Sequence, residues 1–209
     1  MEYIDVFDIN QNHLGREEIG KAHLESMWHK TFHCWIIRPN NKILFQLRSK
    51  DMRPCPDLLD TSAAGHLSAG ETIEDGIREI KEELGINVDF NTLQEVGFYK
   101  HISNNSAKKG TYNKEFVYVY FLKDYTPLDE YIMQPEEVDG VYEVDIKDGF
   151  KLFNNEVEEI SVYGFNRITK QLETISVSKD KFVKKADCYF NKLLIMAERF
   201  IKGEKYLGF

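Results

Sequence analysis

Glu79, Glu82 and Glu83 stand at i, i+3 and i+4, with Arg78 immediately before the first of them. On a helix advancing about 100° per residue, that spacing gathers the three carboxylates on one side. Left alone they repel one another by roughly a few tenths of a kcal/mol per pair. A divalent cation turns the repulsion into a site, and hard carboxylate oxygens suit Mg²⁺ or Mn²⁺ better than zinc. Such ions usually share their coordination with substrate phosphates. The plain alternative is a solvated helix face.

The local sequence supplies the helix that this spacing needs. Thr72 can cap its start with Asp75 three residues on, and Gly85 sits where a helix stops. Ile73, Ile77, Ile80 and Leu84 fall on the side opposite the carboxylates and must face a core. A glycine-containing turn, Gly65 to Glu71, precedes it.

Taken together, Gly65 to Ile86 resembles the box of the Nudix hydrolases. Arg78-Glu79-Ile80-Lys81-Glu82-Glu83-Leu84-Gly85-Ile86 matches the second half of the box at every fixed position, and Gly65 with Glu71 matches the first. One departure is visible: the family places seven residues between the positions of Glu71 and Arg78, and this chain has six. The shortfall lies near the helix start, where a loop can absorb it, and bears on the role of Glu71 more than on the metal face.

The resemblance implies an α+β protein with an α/β/α sandwich around a central mixed sheet. It implies that Glu79 and Glu83 hold metal, that Glu82 is a third ligand or the base that orients water, and that Arg78 positions Glu79. It adds the carbonyl of Ala64, just before the box glycine, to the metal shell. The substrate is then a small-molecule diphosphate linked to a group X, which could be a nucleoside, a sugar, a dinucleotide or a prenyl chain.

The chain has 209 residues, 42% of them hydrophobic, enough for one sizeable core. Residues 1–146 are read as the hydrolase domain and 147–209 as an extension packed on it. The first part carries a net charge of −11 and the second +3, giving −8 in all. That balance argues against general nucleic-acid or anionic-membrane binding. Cys34, Cys55 and Cys188 are sparse and lack a Cys-x-x-Cys pairing, which suggests reduced thiols in a cytoplasm. The sequence MEYIDVFDIN lacks the basic and apolar regions of a signal peptide, and no apolar run is long enough to span a bilayer.

Tyr3 to Asp8 reads as a first strand, and Phe32 to Ile37 with Ile43 to Leu47 as a hairpin turned at Pro39-Asn40-Asn41. Arg48, Lys50 and Arg53 follow, on a loop leading toward the box, as candidate phosphate contacts or ordinary surface charges. Val88 to Phe90 and Leu93 to Lys100 have strand character, Asn104 to Gly110 is a polar loop, and Phe116 to Phe121 is a buried strand. Glu115, at its start, could point back toward the metal face. Glu136 and Glu137 are carboxylates placed before a further strand, Val141 to Val144.

In the extension, Glu159 to Phe165 and Thr174 to Val177 pair as strands, and Asp187 to Lys202 is a helix. Its stripe of Phe190, Leu193, Leu194, Ala197 and Ile201 suits core packing or the contact of a homodimer.

A second resemblance, within the same superfold, is to isopentenyl diphosphate isomerase. It rests on His29 to Ile37, on Gly65-His66 and on Asn113-Lys114-Glu115. It implies that His29, His66 and Glu115 fall on metal-ligand positions. However, Ala64 stands where the isomerase has its catalytic Cys and Asn113 where it has a Glu, and an alanine has no proton to exchange. Hydrolysis is therefore favoured over the isomerase, and the unbroken glutamate triad argues against the remaining alternative, a non-catalytic diphosphate-binding module. A satisfied structural histidine is the plain expectation for His29 and His66, with substrate contact or a remnant of shared ancestry as the alternatives for each.

Overall fold

The computed structural model describes residues 2–104, 109–185 and 188–208. Two strands, β1 (Tyr3–Phe7) and β2 (His13–Glu18), and a short helix α1 (Ile19–Leu24) lead into the long β3 (Trp28–Arg38) and β4 (Lys42–Arg48). Two short strands, β5 (Leu59–Asp60) and β6 (Ala63–His66), precede a 3₁₀ turn at Glu74–Ile77 that runs into α2 (Arg78–Leu84). After them come β7 (Gln94–Asn104), β8 (Tyr112–Lys123), β9 (Val138–Asp145), α3 (Ile146–Phe153), β10 (Glu159–Asn166), β11 (Gln171–Ser178) and α4 (Tyr189–Ile201).

The strands form one mixed sheet in the order β11-β10-β9-β4-β3-β1-β2, with β8 parallel to β3, and β6 antiparallel to β3 on its other side. The β3–β4 hairpin pairs only at Ile37↔Ile43 and Arg38↔Lys42, and then the strands part. Ser62 bridges the opening: its Oγ accepts from Ile36 N–H at 2.9 Å and donates to Leu44 O. Into this split the box carboxylates are delivered.

Strand alternation sorts the core into two layers. Trp35, Ile37, Phe45, Val119, Phe121 and Tyr142 face α3 and α4, where they pack with Phe153, Phe190, Leu193 and Leu194. Phe32, Cys34, Ile36, Leu44 and Tyr120 face the other way, against Ile80 and Leu84 of α2. Helices thus cover both faces, the expected sandwich. Gly76, in the 3₁₀ turn, lets the chain lie on Phe32: an added Cβ would stand 2.6 Å from the ring.

Several expectations are met and some are corrected. The stripe of α4 is inside: Phe190, Leu193, Leu194 and Ala197 are buried in the chain's own core, so these residues offer no surface to a second copy. Trp35 Nε1 donates to Tyr189 Oη at 2.8 Å within that layer. The strands β10 and β11 extend the sheet from β9, with α3 as an element that the sequence reading did not foresee. Its start is nonetheless capped conventionally, by Asp145 accepting from Lys147 N–H and Asp148 N–H. Val88 to Phe90 forms no strand; Asp89 instead caps a 3₁₀ turn at Phe90–Thr92. Residues 105–108 of the expected polar loop, and Asp187 of the expected helix, lie outside the described residues. Among the described residues no helix is long and apolar enough to cross a membrane.

Candidate functional site

On the helical side, α2 ends as predicted, with Gly85 in the left-handed region at φ 74° and its N–H donating to Lys81 O. The expected Thr72 cap is corrected: Thr72 N–H and Oγ1 both donate to the Asp75 carboxylate, so the Thr72 side chain accepts no helix N–H. The missing box residue is absorbed here, because the first turn is wound as a tighter 3₁₀ turn rather than as α-helix. Glu71 consequently keeps its place: its carboxylate accepts from Arg78 Nε at 2.9 Å, from Arg78 Nη2 at 3.2 Å and from Ser68 N–H at 2.7 Å.

Arg78 is the hub of this turn. It also donates to His66 O at 2.8 Å, reaches Glu82 at 3.0 Å and stands 2.7 Å from Glu79 Oε1. The three box carboxylates therefore differ. Glu79 and Glu83 are buried, whereas the Glu82 side chain is half exposed. Glu83 Oε2 accepts from Ala64 N–H at 2.9 Å, and Gln46 Nε2 lies 3.5 Å from its other oxygen. Glu79 packs against Gly65 so closely that an added Cβ would sit 2.1 Å from the carboxyl carbon, which is why the strand needs glycine there. Burial, opposed by Arg78 and reinforced by Glu82 and Glu137, pushes the Glu79 carboxyl up to about 7. Burial pushes Glu83 well up also, with the Ala64 N–H opposing and Glu79 and Glu137 adding to it.

Glu79 and Glu82 line a cleft of about 880 Å³, whereas Glu83 is buried and does not line it. Arg48, Arg53, Ala64, His66, Arg78, Glu79, Glu82, Glu115 and Glu137 all line it, so the structure gathers most of the predicted residues. Lys50 is exposed and does not line it, and Glu136 is exposed as well. Arg48 is already engaged, donating to Pro54 O and Cys55 O and lying 3.6 Å from Asp60.

His29, His66 and Glu115, which the isomerase resemblance places together, do lie side by side, and Thr31 and His33 of the cleft floor, which were not foreseen, alternate with buried His29 along one face of β3. The pattern His-x-Thr-x-His in an otherwise apolar strand was the available signal. His29 Nδ1 bonds Met27 O, but His29 Nε2, His66 Nε2, Thr31 Oγ1 and His33 Nδ1 are buried with no hydrogen-bond partner. His29 and His66 both face the Glu115 carboxylate through these nitrogens, at 3.9 and 3.6 Å. An unsatisfied buried polar atom costs about 1–3 kcal/mol, so a protein keeps several together only where something else meets them.

His23 of α1 completes the group. Ligand atoms of His23, His29 and His66 all lie within 4.8 Å of one another, and His29 and His66 stand 3.9 and 3.6 Å from Glu115 Oε1. Three imidazoles and a carboxylate form a donor set suited to a borderline divalent ion such as Mn²⁺ or Zn²⁺. Lys184 and Lys185, from the segment before α4, also line the cleft, and Lys185 Nζ binds Asp60 at 2.6 Å. No local sequence feature announced that these residues return to the site.

Comparison with known proteins accords with this geometry. The family model of the NUDIX domain matches residues 27–176. An uncharacterized Nudix hydrolase of Clostridium acetobutylicum is 32% identical over 92% of this chain and 95% of its own length. Isopentenyl-diphosphate Delta-isomerase 1 of Photorhabdus laumondii is 29% identical over 76% of this chain and 88% of its own. A crystal structure of a Deinococcus radiodurans protein superposes with a TM-score of 0.52 at 20% identity, covering 70% of this chain and 85% of that one.

Proposed function

Because the chain belongs to the Nudix family of hydrolases, we propose that it cleaves a small-molecule diphosphate linked to a group X, by water attack on phosphorus with a divalent cation. The observation that carries this reading is the pair of buried carboxylates on α2, Glu79 on the wall of the cleft and Glu83 one turn on against Ala64. Both are raised chiefly by burial, with Glu137 adding to each, and Arg78 lies beside only the first. Such a pair is a poor structural element alone and a good cation site, with Mg²⁺ or Mn²⁺ as the ion.

In this reading Glu79 and Glu83 hold the cation, assisted by Glu82 or by the carbonyl of Ala64. The cation supplies charge neutralisation at the phosphoryl oxygens and lowers the pKa of water. The chain's own groups do the rest. Arg78, locked by Glu71 and by His66 O, holds Glu79 in place. Glu82 and Glu137 are carboxylates from which a proton acceptor for water can be drawn, while Arg53 and His66 face the substrate's oxygens. Glu115, held against His29 and His66, orients the histidines.

The histidine group favours a second reading, in which this donor set serves isomerase chemistry. That reading lacks an acid or base at position 64, where Ala64 offers only a methyl group. One experiment tests both. Phosphate or monophosphate release is measured across ADP-ribose, dinucleotides, nucleoside triphosphates, nucleotide sugars and isopentenyl diphosphate, with Mg²⁺, with chelator, and with Glu83→Gln. Cleavage that requires both the metal and Glu83 is expected. Rearrangement of isopentenyl diphosphate without any cleavage overturns hydrolysis in favour of the isomerase.

A further inference from the structure

The deep floor of the cleft bears on the group X, and an inference drawn there rests on the hydrolase reading above. Thr31 and His33 are only 3% and 7% exposed, yet both line the cleft, and Thr31 Oγ1 and His33 Nδ1 have no partner in the protein. Asn113 Oδ1, at the start of β8, lines the same cleft and is likewise buried without a partner. Each can turn toward a ligand through these atoms without breaking a protein hydrogen bond. An amide oxygen only accepts, a threonine hydroxyl both donates and accepts, and an imidazole nitrogen does either according to tautomer. The Asn113 amide oxygen therefore requires a donor, which an ionised phosphate oxygen cannot supply, and hydroxyl groups, which both donate and accept, suit all three atoms.

The other two chemistries for X meet an unsuitable surface. A prenyl chain laid on this floor would seal these polar atoms under hydrocarbon, which opposes binding. A nucleobase gains much of its binding from stacking on an open aromatic face. Among the described residues Tyr99 is the one Phe, Tyr or Trp that lines the cleft, and its ring packs with Tyr189 at 5.4 Å and His101 at 6.3 Å.

We infer that X begins with a sugar or polyol, whose hydroxyls are read by Thr31, His33 and Asn113, and that neither a base nor a prenyl chain is recognised.

The test uses the full chain with Mg²⁺ and six probes: ADP, GDP, CDP, 2′,3′-dideoxy-ADP, 5-phosphoribosyl 1-diphosphate and isopentenyl diphosphate. We expect kcat/KM for the three ribonucleoside diphosphates to agree within about threefold. Dideoxy-ADP is expected to fall at least tenfold and isopentenyl diphosphate at least a hundredfold, with the phosphoribosyl compound among the good substrates. Thr31→Val, close to isosteric, should shrink the ratio between ADP and dideoxy-ADP severalfold; a purely structural Thr31 would lower both equally and keep the ratio.

Strong dependence on the base, equal use of dideoxy-ADP, or an unmoved ratio in Thr31→Val overturns the inference. If no probe is cleaved, the wider diphosphate panel given above decides the hydrolase reading separately, and calorimetric binding of the same six probes still decides which X the floor accepts: tighter binding of ADP than of dideoxy-ADP upholds the inference, and equal binding overturns it.

Discussion

Replacing Glu79 by glutamine should make the metal-free protein more stable while removing its activity. The Glu79 carboxyl is lifted from an ordinary 4.5 to about 7, burial being the largest cause. At 1.36 kcal/mol per tenfold, a native state that carries the ionised group is penalised by about 3 kcal/mol. The sign follows from proton binding. Between the two values the native state holds a proton that the unfolded chain has released, so stability falls as pH rises from about 4.5 and levels off above about 7. At pH 8 in chelator, Glu79→Gln relieves this penalty, and for a chain of this length roughly 3 kcal/mol corresponds to a Tm rise of about 6–12 °C. At pH 4 the two proteins should melt alike.

Saturating Mg²⁺ should reverse the order at pH 8, because only the wild-type chain then gains binding free energy in the folded state. Differential scanning calorimetry at both pH values, with chelator and with Mg²⁺, gives all the comparisons, and diphosphate hydrolysis is followed in parallel. A lower Tm for Glu79→Gln in chelator at pH 8 would refute the argument, since it would mean that Glu79 is held by its ion pair with Arg78 at 2.7 Å as a structural strut. Equal stabilisation of both proteins by Mg²⁺ would refute the placement of the cation.

Three further outcomes are expected. Gly65→Ala sets a methyl within about 2 Å of the Glu79 carboxyl, the movable end of a flexible side chain, so denaturant unfolding should shift by under about 1 kcal/mol while kcat/KM falls at least tenfold. Glu71→Gln weakens two charge-assisted bonds from Arg78; activity should fall by about tenfold or more, with a loss of roughly 1–2 kcal/mol in urea denaturation, and retained activity would show that the first half of the box is dispensable. Leu194→Ala, at a fully buried α4 position against Gly149, should cost about 2–5 kcal/mol and still give a single transition; two separate transitions would show that the extension folds as a unit of its own.

What the sequence determined by itself was the local pattern. The i, i+3, i+4 carboxylates, Arg78 before them and Gly85 after them act within two helical turns, so spacing alone placed them on one helix face. The apolar runs of β3, β4 and β8 were legible because strand alternation is also local. Tertiary structure decided the rest, for reasons of long-range packing. It divided three similar glutamates into two buried ones and one half-exposed one, because Ala64 and Gly65 of a different strand press on only two of them. It wound the first turn as 3₁₀, which returned Glu71 to Arg78 despite the shorter spacing. It turned the apolar stripe of α4 inward, because the α4 face of the sheet offered Trp35 and Phe45 for it to cover. It also brought His23, His29 and His66 together, and Lys185 onto Asp60, from stretches that no sequence spacing relates. Chain folding sets those distances, whereas spacing along the chain fixes only neighbours within one element.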